Sequence, residues 1–314
     1  MSNTLDGTGT YKMQHTLVDV AINVCGKPYQ TLYTLKSLMK YSGKWIDKIY
    51  FQEEKHHPYG DEVKWILSEF DNLIHYTPEE FYGIAAFEIS KSQMETYEKR
   101  CNIRYQYGIE TSDKKYIFIT HNDILYTGDI IGGMMEQVDG YTGIGLIGQC
   151  WNCSGFTSGN CDGNRFDKVN YTYEEVEEMM RSFPPARHHY FYQQINKERP
   201  MPLPECRLNE FACIINREDT MKECYPNGTV RLFGGMEILD TGCAWFKDMY
   251  EKGYKFKNYD INKDSIHGEF SHISSRFYED NKEFFVSGNH TMLDEKAHHK
   301  AEELAKEYYE QNFK

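Results

Sequence analysis

The apolar run Tyr116-Ile-Phe-Ile119 passes straight into the polar triplet His121-Asn122-Asp123, and apolar residues resume at Ile124-Leu-Tyr126. Such a short run reads as a buried strand. An imidazole and a carboxylate two residues apart at a strand end can both serve one divalent cation, and that cation can hold a diphosphate. On its own the triplet is an ordinary strand followed by a polar turn. What surrounds it decides the reading.

Strand and helix signals alternate ahead of it. Leu17–Val24 reads as a strand ending at Cys25-Gly26-Lys27-Pro28, and Leu32, Leu35, Leu38 and Met39 recur at helical spacing within 29–41. Ile46–Phe51 is a second strand running into Gln52-Glu53-Glu54, 63–70 is helical, and Leu73–Tyr76 is a third strand. A polar helix is expected over 93–107. Alternation of this kind implies a largely parallel sheet with ligands at the carboxyl ends of its strands. Beyond Met135 the texture changes: a strand over 143–149, a helix near 173–182, the Pro-rich segment 200–204, a strand over 211–216, a helix over 243–252 and a charged amphipathic helix over 292–313. No repeat and no long linker divides the 314 residues, so one domain is expected, with halves 15–135 and 136–290 and a C-terminal helix over 291–314.

The formal net charge of −13 disfavours nucleic acid and anionic membrane surfaces as partners. The first 15 residues lack an apolar leader, and no run approaches a membrane span, so a soluble cytoplasmic protein is expected. Nine cysteines, an odd number, fit free thiols better than a disulfide framework. Cys150-X2-Cys153 is half of a structural zinc site that Cys161 and Cys206 can complete, with scattered reduced thiols as the plainer reading. The first strand is followed by one glycine, not by Gly-X-Gly-X-X-Gly, so a dinucleotide fold lacks its pyrophosphate turn, and Gly-X4-Gly-Lys-Ser/Thr is absent, which excludes a P-loop.

In this order the signals resemble the GT-A glycosyltransferases, particularly the family-two-like enzymes that use nucleotide-diphosphate sugars. The segment 18–41 looks like their opening nucleotide-binding unit, and Arg104-Tyr-Gln-Tyr-Gly108 is similar to the segment before their metal motif. His121-Asn-Asp123 stands where they carry Asp-X-Asp, with Thr127-Gly128 where Pro-Gly usually follows. Glu237-Ile-Leu-Asp240, the helix after it and Gly253-Tyr-Lys-Phe-Lys257 resemble their acidic motif, helix and Gly-Tyr strand. The late His267-Gly-Glu-Phe-Ser-His272 resembles the histidine that completes their metal site. The chain departs from the family at His121, at Thr127 and in the spacing of Asp240 to the Gly-Tyr pair.

The resemblance implies an α/β GT-A fold, a central mainly parallel sheet flanked by helices. It implies a metal-dependent transferase that moves a sugar from a nucleotide-diphosphate donor to a glycan or other hydroxyl acceptor with inversion. It places Mn2+ or Mg2+ on Asp123, His121, His267 and His272, the donor on Asn23, Cys25, Glu53, Arg104 and Asn122, and the catalytic base on Asp240 or Glu237. Trp151, Phe156, Arg187, His188 and His189 would border the acceptor. The other readings are an α/β protein that binds a nucleotide sugar without transferring it, and an interaction protein organised by zinc. Taken singly, Asp240 is equally a helix N-cap, whereas a lone Arg104 is more often a solvated or paired surface residue and each late histidine more often a structural one.

Overall fold

The computed structural model describes residues 2–5, 11–14, 17–55, 57, 60–80, 91–185, 192, 195–235, 237–267 and 295–314. Strands β1 (Ser2–Leu5) and β2 (Tyr11–Gln14) pair with each other, antiparallel. The central sheet has seven strands. Its members are β3 (Val18–Val24), β4 (Ile46–Glu53), β5 (Leu73–Tyr76), β6 (Tyr116–Thr120), β8 (Gly143–Ile147), β9 (Leu208–Asn216) and β10 (Phe256–Asn258). They lie in the order β10-β8-β9-β6-β3-β4-β5. All neighbours are parallel except that β9 runs antiparallel to both β6 and β8. A separate two-stranded ribbon joins β7 (Ile124–Tyr126) to β11 (Ser265–His267) and sets His267 opposite Ile124.

The sheet is buried on both faces, which is why its central strands are almost continuously apolar. Val18, Val20, Ile22 and Val24 of β3 pack with Leu32, Leu35 and Leu38 of helix α1 (Pro28–Ser42). Ala21 of β3, with Ile117 and Ile119 of β6, faces the other layer, where Trp245 and Phe246 of the helix Cys243–Glu251 are fully buried. The expected α/β fold, a mainly parallel sheet flanked by helices, is therefore the observed one. Strands of both halves of the sequence enter it, because β9 inserts between β6 and β8.

Most element bounds agree with the sequence to within a few residues, and one differs in kind. The segment expected as a helix over 93–107 is broken into the helical turn Tyr97–Arg100 and the helix Gln106–Thr111. Tyr105 between them takes a left-handed backbone (φ 64), which ends an α-helix. The segment 63–70 is helical as expected, as the 3-10 helix Lys64–Glu69. Among the described residues no helix is long and apolar enough to cross a membrane.

The C-terminal helix Glu295–Asn312 docks on α1. Its Glu302 accepts hydrogen bonds from the N–H groups of Tyr29 (2.8 Å) and Gln30 (3.3 Å) and from the Gln30 amide (2.9 Å). A carboxylate from a distant segment thus satisfies the first turn of α1, which has no side-chain cap of its own. Glu302→Ala is expected to cost about 1–2 kcal/mol, the usual loss on removing a helix cap. Urea unfolding followed by circular dichroism would measure it.

Candidate active site

The carboxyl ends of β3, β4, β6 and β8 and the first residues of antiparallel β9 lie at one end of the sheet. That end collects the charged groups. At the end of β6, Asp123 Oδ2 is 2.9 Å from Lys27 Nζ and Asp123 Oδ1 is 3.7 Å from His121 Nδ1. The other ring nitrogen of His121 is 3.4 Å from Glu210 Oε1. Glu210 Oε2 is 2.8 Å from Arg207 Nη1, and Arg207 Nη2 is 3.4 Å from Asp240 Oδ2. The Gln149 amide, just beyond β8, donates to the same Asp240 oxygen at 2.9 Å. Cations and carboxylates alternate along one line, Lys27–Asp123–His121–Glu210–Arg207–Asp240.

Arg207 is 0% exposed and Glu210 4%, so each needs the other. Arg207 also donates to the Thr241 carbonyl (2.6 Å) and to Asn209 Oδ1 (3.1 Å). Burial would raise the Glu210 carboxyl, but Arg207 and His121 outweigh it and bring its pKa down to about 2. Burial would depress His121, but the Asp123 and Glu210 carboxylates beside its ring raise its pKa to about 8. Asp240, at 27% exposure of its side chain, reaches the surface, as do His121 at 26% and Lys27 at 21%. The other Asp240 oxygen accepts from the Thr241 N–H at 2.9 Å.

A second group adjoins the first at the ends of β3 and β4. Glu54 accepts from Asn23 Nδ2 (2.7 Å) and pairs with Arg104 Nη2 (3.2 Å). The Cys25 thiol also meets Glu54, and burial together with that carboxylate pushes its pKa up to about 12. Glu53 sits between two imidazoles, His57 Nε2 at 3.3 Å and His75 Nε2 at 2.6 Å. The Asn122 amide donates to the Gly26 carbonyl (3.2 Å) and to Thr31 Oγ1 (3.0 Å), tying the end of β6 to the loop after β3.

The structure thus gathers Asn23, Cys25, Arg104, His121, Asp123 and Asp240 at one end of the sheet. Glu237 stands apart from the line: its charged neighbours are Arg231 and Asp248, and burial raises its pKa. Of His267 only the backbone is described, beside Ile124, and His272, Arg187, His188 and His189 lie outside the described residues. Trp151 is 61% and Phe156 48% exposed. Lys27, Gln149, Arg207 and Glu210 were not singled out from the sequence. Charged residues just ahead of an apolar strand read as loop, and only the extension of β9 back to Leu208 shows that Glu210 is strand and interior.

Among the described residues no three His, Cys, Asp or Glu side chains are disposed as ligands of one ion. For zinc this is a correction. Cys150, Cys153, Cys161 and Cys206 do line one small cavity, but all are free thiols that do not converge on an ion. Burial pushes Cys153 up to about 12 and Cys161 up to about 11, so they stay protonated and pack as small apolar groups.

No protein-family model and no curated protein matches this chain. Among solved structures it is similar to a glucosyl-3-phosphoglycerate synthase from Mycobacterium tuberculosis in complex with Mn2+, uridine diphosphate and phosphoglyceric acid. That match has 7% identity and a TM-score of 0.41, covering 77% of this chain and 68% of that one. It is similar also to a mannosyltransferase from Pyrobaculum calidifontis in complex with GDP-mannose and Mn2+, with 8% identity, a TM-score of 0.42, and coverage of 96% and 77%. Likenesses this distant carry no inference about the chemistry of this chain.

The shifted groups give a signed pH dependence. His121, raised from 6.5 to about 8, contributes stability that is complete below pH 6.5 and lost as pH rises through about 8. Glu210, lowered from 4.5 to about 2, contributes stability that is complete above pH 4.5 and lost as pH falls through about 2. Glu210→Gln should therefore return the His121 pKa toward 6.5, read from its imidazole proton resonances. Glu210→Ala, which removes one of the two carboxylates that face the buried Arg207, should lower unfolding stability by about 3 kcal/mol.

Proposed function

We propose that this chain is a glycosyltransferase that moves a sugar from a nucleotide-diphosphate donor to an acceptor hydroxyl with inversion. The observation that carries the reading is the continuous charged line from Lys27 and Asp123 to Asp240 at the carboxyl end of a mainly parallel sheet. Its two ends match the two demands of glycosyl transfer. Negative charge develops on a departing diphosphate, and a carboxylate must take the acceptor proton. The donor would lie over Asn23, Cys25, Arg104 and Asn122, and Glu53 with His57 and His75 would border the nucleoside.

The residues at the end of β6 fit a divalent cation in kind. Asp123 supplies a carboxylate, His121 an imidazole, and the β7–β11 register brings the backbone of His267 alongside. One carboxylate with imidazoles suits Mn2+ and, less well, Mg2+. His272 is the remaining candidate. When bound, such an ion offsets the charge on the diphosphate. Asp240 is the proposed base, held by Arg207, Gln149 and the Thr241 N–H while remaining open to an acceptor. Glu237, away from that line, is the lesser candidate. The exposed rings of Trp151 and Phe156 mark the proposed acceptor side, where an aromatic face can stack on a sugar.

The pairing of Asp123 with Lys27 also suits a protein that binds the donor without transferring it. One assay separates the two readings: release of nucleoside diphosphate from a panel of nucleotide sugars with Mn2+ or Mg2+, with and without acceptor glycans. Asp123→Asn and Asp240→Asn should each lower turnover by about a hundredfold or more, with thermal unfolding little changed. Donor binding with no turnover on any member of the panel favours the binding protein. Full turnover in both variants sinks the assignment of the site.

A further inference from the structure

The carboxylate best placed to take a divalent cation already holds an ammonium. Lys27 Nζ lies 2.9 Å from Asp123 Oδ2, across 96 residues of sequence. The backbone that carries this lysine is tightly fixed. Gly26 and Lys27 are both left-handed (φ 66 and 56), and the Lys27 N–H donates to Asp61 Oδ2 at 3.1 Å. Asp61 in turn lies 2.7 Å from His298 Nε2 of the C-terminal helix. A Cβ on Gly26 would come within 2.7 Å of Asp61 Oδ2, so the turn closes only with glycine there.

The side chain itself has freedom that its backbone lacks. Lys27 keeps 21% of its side-chain surface exposed, and its charge is a point on a four-carbon stem. Arg104 is exposed to much the same degree, 20%, but pairs with Glu54 and not with the carboxylate that would take the ion, and Arg207 has no such freedom. Arg207 is enclosed at 1% side-chain exposure by Glu210, Asp240, Asn209 and the Thr241 carbonyl. Burial disfavours the Lys27 ammonium, but Asp123 more than restores it, so the charge persists. A divalent ion arriving at Asp123 repels an ammonium 2.9 Å away, while the diphosphate that comes with the ion attracts it. An exchange of partners leaves each anion paired. An unexchanged lysine would leave two cations crowded on one carboxylate.

We propose that Lys27 is a diphosphate-binding residue held in reserve on Asp123: its ammonium occupies the carboxylate in the ligand-free protein and transfers to the donor's phosphates when the carboxylate takes a divalent cation. The inference rests on the nucleotide-diphosphate reading of the site and assigns it a residue that no sequence motif marked. It makes Lys27 a competitor of the metal and an ally of the phosphate, two effects of opposite sign that a merely structural ion pair lacks.

The test uses the full chain with two probes, Mn2+ alone and inorganic pyrophosphate alone, each titrated by calorimetry. Lys27→Asn removes the charge with a residue that tolerates the left-handed backbone. It should bind Mn2+ about tenfold more tightly than the parent protein and metal-free pyrophosphate about tenfold more weakly. Lys27→Arg should keep most of the pyrophosphate affinity. Asp123→Asn, which releases the lysine, should bind metal-free pyrophosphate more tightly, and it serves as the deciding variant where Lys27→Asn fails to fold. Affinities for both probes within twofold of the parent in Lys27→Asn, or no gain of pyrophosphate affinity in Asp123→Asn, overturn the role of Lys27 and leave the glycosyl-transfer reading standing. A parent protein that binds neither pyrophosphate nor any nucleoside diphosphate, with or without Mn2+, overturns both.

Discussion

A guanidinium with no exposure to water governs the geometry of this site. Removing Arg207 from solvent is costly unless every donor finds a partner. Glu210, Asp240, the Thr241 carbonyl and Asn209 supply those partners from two segments of chain. Asp240 is therefore not free to choose its position, and neither is the turn that leads into the helix Cys243–Glu251. Through Glu210 the same constraint reaches His121 and Asp123. The two ends of the site, far apart in sequence, are set by one buried charge.

The antiparallel strand makes this possible. Ligand sites in parallel sheets sit at the carboxyl ends of strands, where loops leave the sheet. Reversing β9 brings the start of a strand, not its end, into that region. Residues 207–210 thus enter between β6 and β8 as rigid extended chain, and their charged side chains meet His121 on one side and Asp240 on the other. A parallel strand in the same place would offer a loop instead. The rigidity suits a site that must hold a carboxylate at a fixed angle to a reacting hydroxyl.

On the opposite flank the organising element is the C-terminal helix. Glu302 completes the first turn of α1, and His298 holds Asp61, which holds the Lys27 backbone. A segment with no chemistry of its own thus sets where the Lys27 ammonium starts from. Its sequence, charged and amphipathic, showed only that it was a helix with a face to bury.

The sequence by itself determined the alternation of strand and helix, the largely parallel sheet and the placement of a polar triplet at the end of its central strand. Those are local properties: apolar runs, helical spacing and the residues that stop them. It also marked Asp123, His121, Asp240, Arg104, Asn23 and Cys25, which the fold brings to one end of the sheet. It overextended one helix across Tyr105, where a single left-handed residue breaks the path. It suggested zinc from cysteine spacing, which counts residues and not the directions of sulfur atoms. Only the tertiary structure decided that Lys27, Glu210, Arg207 and Gln149 belong to the site, because each is defined by a partner distant in the chain. A buried charge has no signature of its own in sequence; its meaning comes from the opposite charge that the fold places beside it.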